Sequence, residues 1–109
     1  MKFNDVCGAV EAGRPVAVPD AFVKSIEKAA AKARKDRDIG LIQHWRIQSA
    51  INRPRTAAKI YAGVIDEGMA AGVIMAEGDA DGFDWDSLLA FIEKLLPLIL
   101  QIISMFNTI

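Results

Sequence analysis

Apolar residues recur along this chain at helical rather than strand spacing. Phe22, Val23, Ile26, Ala29, Ala30 and Ala33 fall three or four apart after Pro19-Asp20, so a helix is predicted from Asp20 through the alanine-rich stretch. Before it, Phe3 to Ala12 predicts a short helix with Asn4 as cap, Val6 and Val10 on one side and Gly13 as the stop. Arg14 to Pro19 is bracketed by prolines and reads as an extended linker. Asp38 is placed to cap a further helix over about Ile39 to Asn52, stopped by Pro54. Its apolar positions, Leu41, Ile42, Trp45, Ile47, Ala50 and Ile51, spread around the cylinder, as in a helix contacted on more than one side. Thr56 is the expected cap of a fourth helix through Ala57, Ile60, Tyr61, Val64 and Ile65. The many small residues there would let another helix approach closely, and the helix weakens at Gly68 and Gly72.

Trp85 to about Phe106 stands apart, because nearly every position is apolar. Asp84 is its expected cap, with Phe83 and Leu88 as a hydrophobic staple. The less apolar residues, Asp86, Ala90, Glu93, Pro97, Gln101 and Ser104, trace one narrow stripe, and Pro97 on that stripe predicts a bend. The fold class expected is therefore all-α: a small helical domain of about four helices plus a protruding or bundle-forming apolar C-terminal helix. Its parts are a basic helical module over residues 1–76, an acidic loop over 77–84 and the associating helix over 85–109.

Burying one such side chain stabilises by roughly 1.5–3 kcal/mol, so the apolar side chains of that helix must be covered. The chain's own core, a bundle with other protein, or lipid would each do so. Leu88 to Phe106 measures about 28 Å of helix against a hydrocarbon core of about 30 Å. Glu93, Lys94 and Gln101 interrupt it, however, and no basic cluster flanks it. Protein burial is the favoured reading, with Leu88, Leu89, Ile92, Leu95, Leu96, Ile99, Ile102, Ile103 and Phe106 as the expected partner-binding residues. A membrane-associating protein using the same helix is the alternative.

Composition adds a bound and charge adds an asymmetry. The 109 residues suit one domain, and a hydrophobic fraction of 52% is that of an ordinary core plus one apolar helix. Residues 1–59 hold 12 of the 13 lysines and arginines against six of the 14 acids, a net +6, and the remainder is net −7. Such a chain can pair its halves internally, join copies head to tail, or offer its basic half to nucleic acid. The candidate phosphate contacts are Lys24, Lys28, Lys32 and Lys35, which form a stripe, with Arg53 and Arg55. A helix-turn-helix over residues 20–52 would present Gln43, Arg46, Ser49 and Asn52, but Leu41, Ile42 and Trp45 leave it little polar face.

Reaction chemistry finds little support. Gly8 to Gly13 has phosphate-loop spacing, but Arg14-Pro15 replaces the required lysine and hydroxyl residue. Glu77 to Phe83 resembles half an EF-hand loop, yet Leu88 stands where the bidentate glutamate belongs. Cys7 and His44 are the sole cysteine and histidine, with no local signature of a nucleophile pair. No catalytic residue, metal site or cofactor is expected. One cysteine and an N-terminus interrupted by Asn4, Asp5, Gly8 and Glu11 argue for a reduced setting and against a cleaved signal peptide. The expectation is a non-enzymatic assembly protein, cytoplasmic or incorporated into a particle, whose partner is itself or a larger assembly such as a virus-like particle with this chain as a minor or cementing component.

Overall fold

The computed structural model describes residues 1–106, so the last three positions of the expected 85–109 helix lie outside the described residues. The chain is all-α. Four helices occupy its first seventy residues: α1 (Phe3–Glu11), α2 (Asp20–Lys35), α3 (Leu41–Ile51) and α4 (Pro54–Ala70). Several starts differ from the expected caps by one or two residues. Asn4 lies inside α1, and Asp20 is the first residue of α2 after Pro19. The turn into α3 is closed at Gly40, whose N–H donates to Gln43 Oε1 at 2.8 Å, so Asp38 is not its cap. Pro54 opens α4, which puts Thr56 inside the first turn.

The C-terminal segment is the main correction. In place of one helix, a 3-10 turn (Trp85–Leu88) leads into α5 (Leu89–Lys94) and, after a break at Leu95, α6 (Leu96–Phe106). The two parts meet at 76°. Pro97 supplies the reason: it has no N–H for the Glu93 carbonyl, and its ring crowds that carbonyl. The break lets α5 lie along α2 while α6 turns across α3 and α4.

Burial follows from this turn. Ile92, Leu96, Ile99 and Ile103 are all at or below 2% exposure, and they share one core with Phe22, Ile26, Ile47, Ile60, Val64 and Ile65. Trp85, the first residue of the C-terminal segment, sits among four other rings at centroid distances of 4.7 Å (Phe83), 4.9 Å (Phe22), 5.7 Å (Tyr61) and 6.0 Å (Phe3). All four contacts are edge-on, the arrangement ring quadrupoles favour. Small residues admit close packing as the sequence suggests: Ile102 of α6 lies over Gly63, and Ile74 lies over Gly68.

The acidic loop is tied down by the far end of the chain. Phe3 N–H donates to Gly78 O and Asn4 N–H to Ala76 O, each at 3.0 Å, while Ala80 N–H donates to Met1 O at 2.8 Å. Lys2 pairs with Glu77 at 2.8 Å, and the Met1 ammonium with Asp81 at 3.1 Å. Asp79 Oδ1 accepts from the Asp81 N–H. The acids of the EF-hand-like stretch thus face amino groups.

Candidate association surface

Of the nine residues expected to bind a partner, Ile92, Leu96, Ile99 and Ile103 point into the core, and Leu88, Leu89, Leu95 and Ile102 are half-buried against it. Phe106 alone is exposed, at 38%. The helix that looked too apolar for water is covered mainly by its own chain. Apart from Met105 and Phe106 at its end, the bare apolar surface lies elsewhere.

It lies on α3. One face of this helix, Ile47, Ala50 and Ile51, enters the core, and the other leaves Leu41, Ile42 and Trp45 at 62%, 74% and 64% exposure. Three large apolar side chains within five residues, all bare, form a patch where scattered singles would need no explanation. Beside it a cleft of about 380 Å³ is lined by Trp45, Arg46, Ser49 and Arg53, with Thr56 from α4 and Ile103 from α6. The cleft lining carries charge of one sign, two arginines and no acid, and no acid occurs between Asp38 and Asp66 or in α6.

A second, smaller apolar exposure follows α4, where Val73 is 44% and Met75 is 76% exposed. Asp66, Glu67 and Glu77 are exposed in the same stretch. Ile74 between the two apolar residues packs on Gly68, and Thr56 lines the first cleft. Those contacts are twelve residues apart on α4, or about 18 Å along its axis. The charges at both ends oppose the helix dipole: Arg53 and Arg55 sit at the positive N-terminus, Asp66 and Glu67 near the negative C-terminus. Each such placement costs roughly 0.3–1 kcal/mol when unscreened, so folding stability does not account for it.

The lysine stripe of α2 is partly neutralised within the chain. Lys28 lies 3.2 Å from Asp86 and Lys32 lies 3.4 Å from Glu93. Lys24 lines a shallow cleft with Lys28, and Lys35 is exposed in the last turn of α2. The six candidate phosphate contacts therefore fall in two places, with Arg53 and Arg55 on the α4 side.

No protein-family model, curated protein or solved structure matches this chain. What the surface can do has to be read from its own side chains.

The Cys7 thiol donates to Ala62 O at 3.7 Å, and burial, then the nearby Asp66 carboxylate, pushes its pKa up to about 12. A thiol held so firmly protonated is a poor nucleophile. His44 Nε2 is buried without a hydrogen-bond partner among the described residues. Among those residues no group of three or more His, Cys, Asp or Glu is placed to hold a metal ion.

The exposed patch had one signal in the sequence, the apolar positions spread around α3. The cleft at the start of α4 had none, because it joins residues from three helices.

Proposed function

We propose that this is a non-enzymatic assembly protein that joins copies of itself head to tail, the Leu41-Ile42-Trp45 face of one copy meeting the Val73-Met75 end of the next. The observation carrying this reading is the pairing of two bare apolar patches with opposite charge. Arg46 and Arg53 border the first, and Asp66 and Glu67 accompany the second, where Glu77 is already paired with Lys2. A two-fold contact of the α3 face with itself would set arginine against arginine, whereas a head-to-tail contact sets arginine against carboxylate. Repetition of such a contact gives rings if the rotation closes and filaments if it does not. A minor or cementing role in a larger particle, cytoplasmic or particle-borne, would use the same contact.

Complementation between variants tests it. Ile42→Ser with Trp45→Ser disables one end, and Val73→Ser with Met75→Ser disables the other. Wild-type mass by light scattering or sedimentation should exceed that of one chain and fall as salt is raised. Each double variant should be a monomer, and an equimolar mixture of the two should form a one-to-one dimer. A monomeric wild type, or a mixture that stays monomeric, overturns the reading.

A second reading, attachment to anionic lipid, is favoured by the combination of Leu41, Ile42 and Trp45 with the arginines of a cleft that no acid lines. Among the described residues no single helix is long and apolar enough to cross a membrane, although the bent pair Trp85–Lys94 and Leu96–Phe106 passes by length and composition. Flotation with anionic vesicles that Ile42→Ser abolishes would favour lipid over self-association. The nucleic-acid reading has less to draw on, since Lys28 and Lys32 already face carboxylates.

A further inference from the structure

The cleft where α3, α6 and the start of α4 meet carries features that association does not require. Thr56 is only 7% exposed and lines the cleft, and its hydroxyl, which has no hydrogen-bond partner among the described residues, is not a buried atom but opens onto that cleft. A side chain more than nine-tenths buried that turns its one open polar atom to a cleft presents that atom to whatever occupies the cleft. The same first turn of α4 leaves the Arg55 and Thr56 N–H groups without a backbone partner. Arg53, the residue preceding the helix, supplies no side-chain cap, and the bond from Ala57 N–H to Arg53 O is the first of the ladder. Ser49 adds a second hydroxyl to the lining. Neither Arg46 nor Arg53 forms an ion pair among the described residues, in contrast to Lys2, Lys28 and Lys32.

Every polar group in this cleft can donate a hydrogen bond, and none is a carboxylate. Two guanidinium groups, two hydroxyls and a helix N-terminus of 17 residues form a donor set for a tetrahedral oxyanion. The volume of about 380 Å³ exceeds what a bare ion needs and lies at the lower end of small-molecule pockets. Trp45 and Ile103 provide an apolar wall against which the rest of a molecule can lie.

We propose that this cleft is a binding site for a phosphate group, with Arg46, Arg53, Ser49 and Thr56 as its ligands. Phosphate fits this set better than a carboxylate because its three terminal oxygens can engage both guanidinium forks and the hydroxyls at once. The group can arrive on a free phosphomonoester or on a phosphomonoester lipid headgroup, and the chemistry of recognition is the same. The cleft shares Trp45, Arg46 and Arg53 with the proposed association face, whereas Ser49 and Thr56 belong to the cleft alone, so the two readings can fail separately.

Trp45 supplies the readout, because it lines the cleft and is exposed while Trp85 is buried at 1%. Titrating dilute protein with inorganic phosphate at constant ionic strength should give a saturable change in the red-edge fluorescence of Trp45. Potassium chloride should not. Thr56→Val keeps the shape and removes the hydroxyl, and Arg46→Gln alters an exposed residue that forms no ion pair among the described residues. Each should weaken phosphate roughly tenfold, the loss of one charge-assisted hydrogen bond, while Arg34→Gln on α2 should not. Phosphate no better than chloride, or both variants equal to wild type, overturns the site. Phosphatidate vesicles distinguish the sources: binding lost in Ile42→Ser while inorganic phosphate is still bound indicates the headgroup, and phosphate binding without vesicle binding indicates the free ester. Ile42→Ser with Trp45→Ser reports on association, and Thr56→Val reports on this site.

Discussion

Ser25 Oγ, on a side chain with no exposed surface, donates a 3.0 Å hydrogen bond to Asp86 Oδ1 across 61 residues of sequence. Lys28 Nζ approaches the other oxygen of the same carboxylate at 3.2 Å. Together they fasten the 3-10 turn that starts the C-terminal segment onto α2. The Ser25 hydrogen bond first, and the Lys28 charge after it, hold the Asp86 carboxyl below its ordinary range.

A pH dependence follows from that shift. A carboxyl depressed in the folded state contributes stability above its unfolded pKa, and this is lost as pH falls through the folded value. Ser25→Ala should therefore move the Asp86 titration, followed by carboxyl NMR, upward toward an ordinary aspartate. Urea unfolding should find the variant less stable near neutral pH, with the gap narrowing in acid. An unchanged Asp86 titration would mean that the hydrogen bond does not act on it.

The C-terminal segment gives a contrast between two isoleucines. Ile99 has no exposed surface and Ile42 is 74% exposed. Ile99→Ala leaves a cavity in the shared core and should cost about 2–5 kcal/mol. Ile42→Ser should stay within about 0.5 kcal/mol of wild type in a protein dilute enough to be monomeric. Equal costs in urea titrations would contradict the placement of α6 inside the core.

How much of this was legible depends on how much contrast each segment carries. In α2, Phe22, Ile26, Ala29 and Ala33 alternate with lysines, so periodicity fixes both the helix and its inward face. Between Leu88 and Phe106 almost every position is apolar, and a pattern without contrast has no direction. It demands burial without saying that Ile92 and Ile99 find it in their own chain. Pro97 marked a bend, but its size depends on what α5 and α6 pack against. The pairing of Gly78 with Phe3 and of Ala80 with Met1 joins an internal loop to the start of the chain across more than seventy residues, for which local sequence has no sign. Thr56 was legible as a cap and became something else because Pro54 started α4 two residues earlier.

Two glycines in α4 should respond differently to a methyl group. A Cβ on Gly68 would lie 2.5 Å from Ile74 Cδ1, 2.8 Å from Cγ1 and 3.3 Å from Cβ, so the whole buried isoleucine must shift. A Cβ on Gly63 would meet only Ile102 Cδ1, at 2.8 Å, the far end of a half-buried side chain. Overpacking at Gly68→Ala should cost about 1–3 kcal/mol, of which a gain in helix propensity returns about 1 kcal/mol, leaving a net destabilisation. For Gly63→Ala the gain in helix propensity, about 1 kcal/mol, should offset most of the strain. Thermal melts of the two variants should therefore separate clearly, and coincident melts would refute the tight approach of Ile74.

The last prediction concerns Cys7 above neutral pH. Burial, aided by the Asp66 carboxylate, pushes its thiol from the usual 9.0 up to about 12. Between those values the unfolded chain releases the proton and the folded chain keeps it, so the unfolded state binds fewer protons and stability falls as pH rises. Tyr61 is also raised to about 12, by burial first, but its ordinary value of 10.0 places its contribution higher. The Met1 ammonium, raised from 8.0 chiefly by its hydrogen bond to Asp81, starts a decline of its own at lower pH. Cys7→Ala should therefore lessen the loss that sets in near pH 9 while leaving the share of Met1 and the part above pH 10. Alkylation gives an independent check: iodoacetamide at pH 9 should modify the folded protein far more slowly than the urea-unfolded chain, because the thiolate is the attacking species. Equal rates in the two states would show that the thiol is not held protonated by the α1–α4 contact.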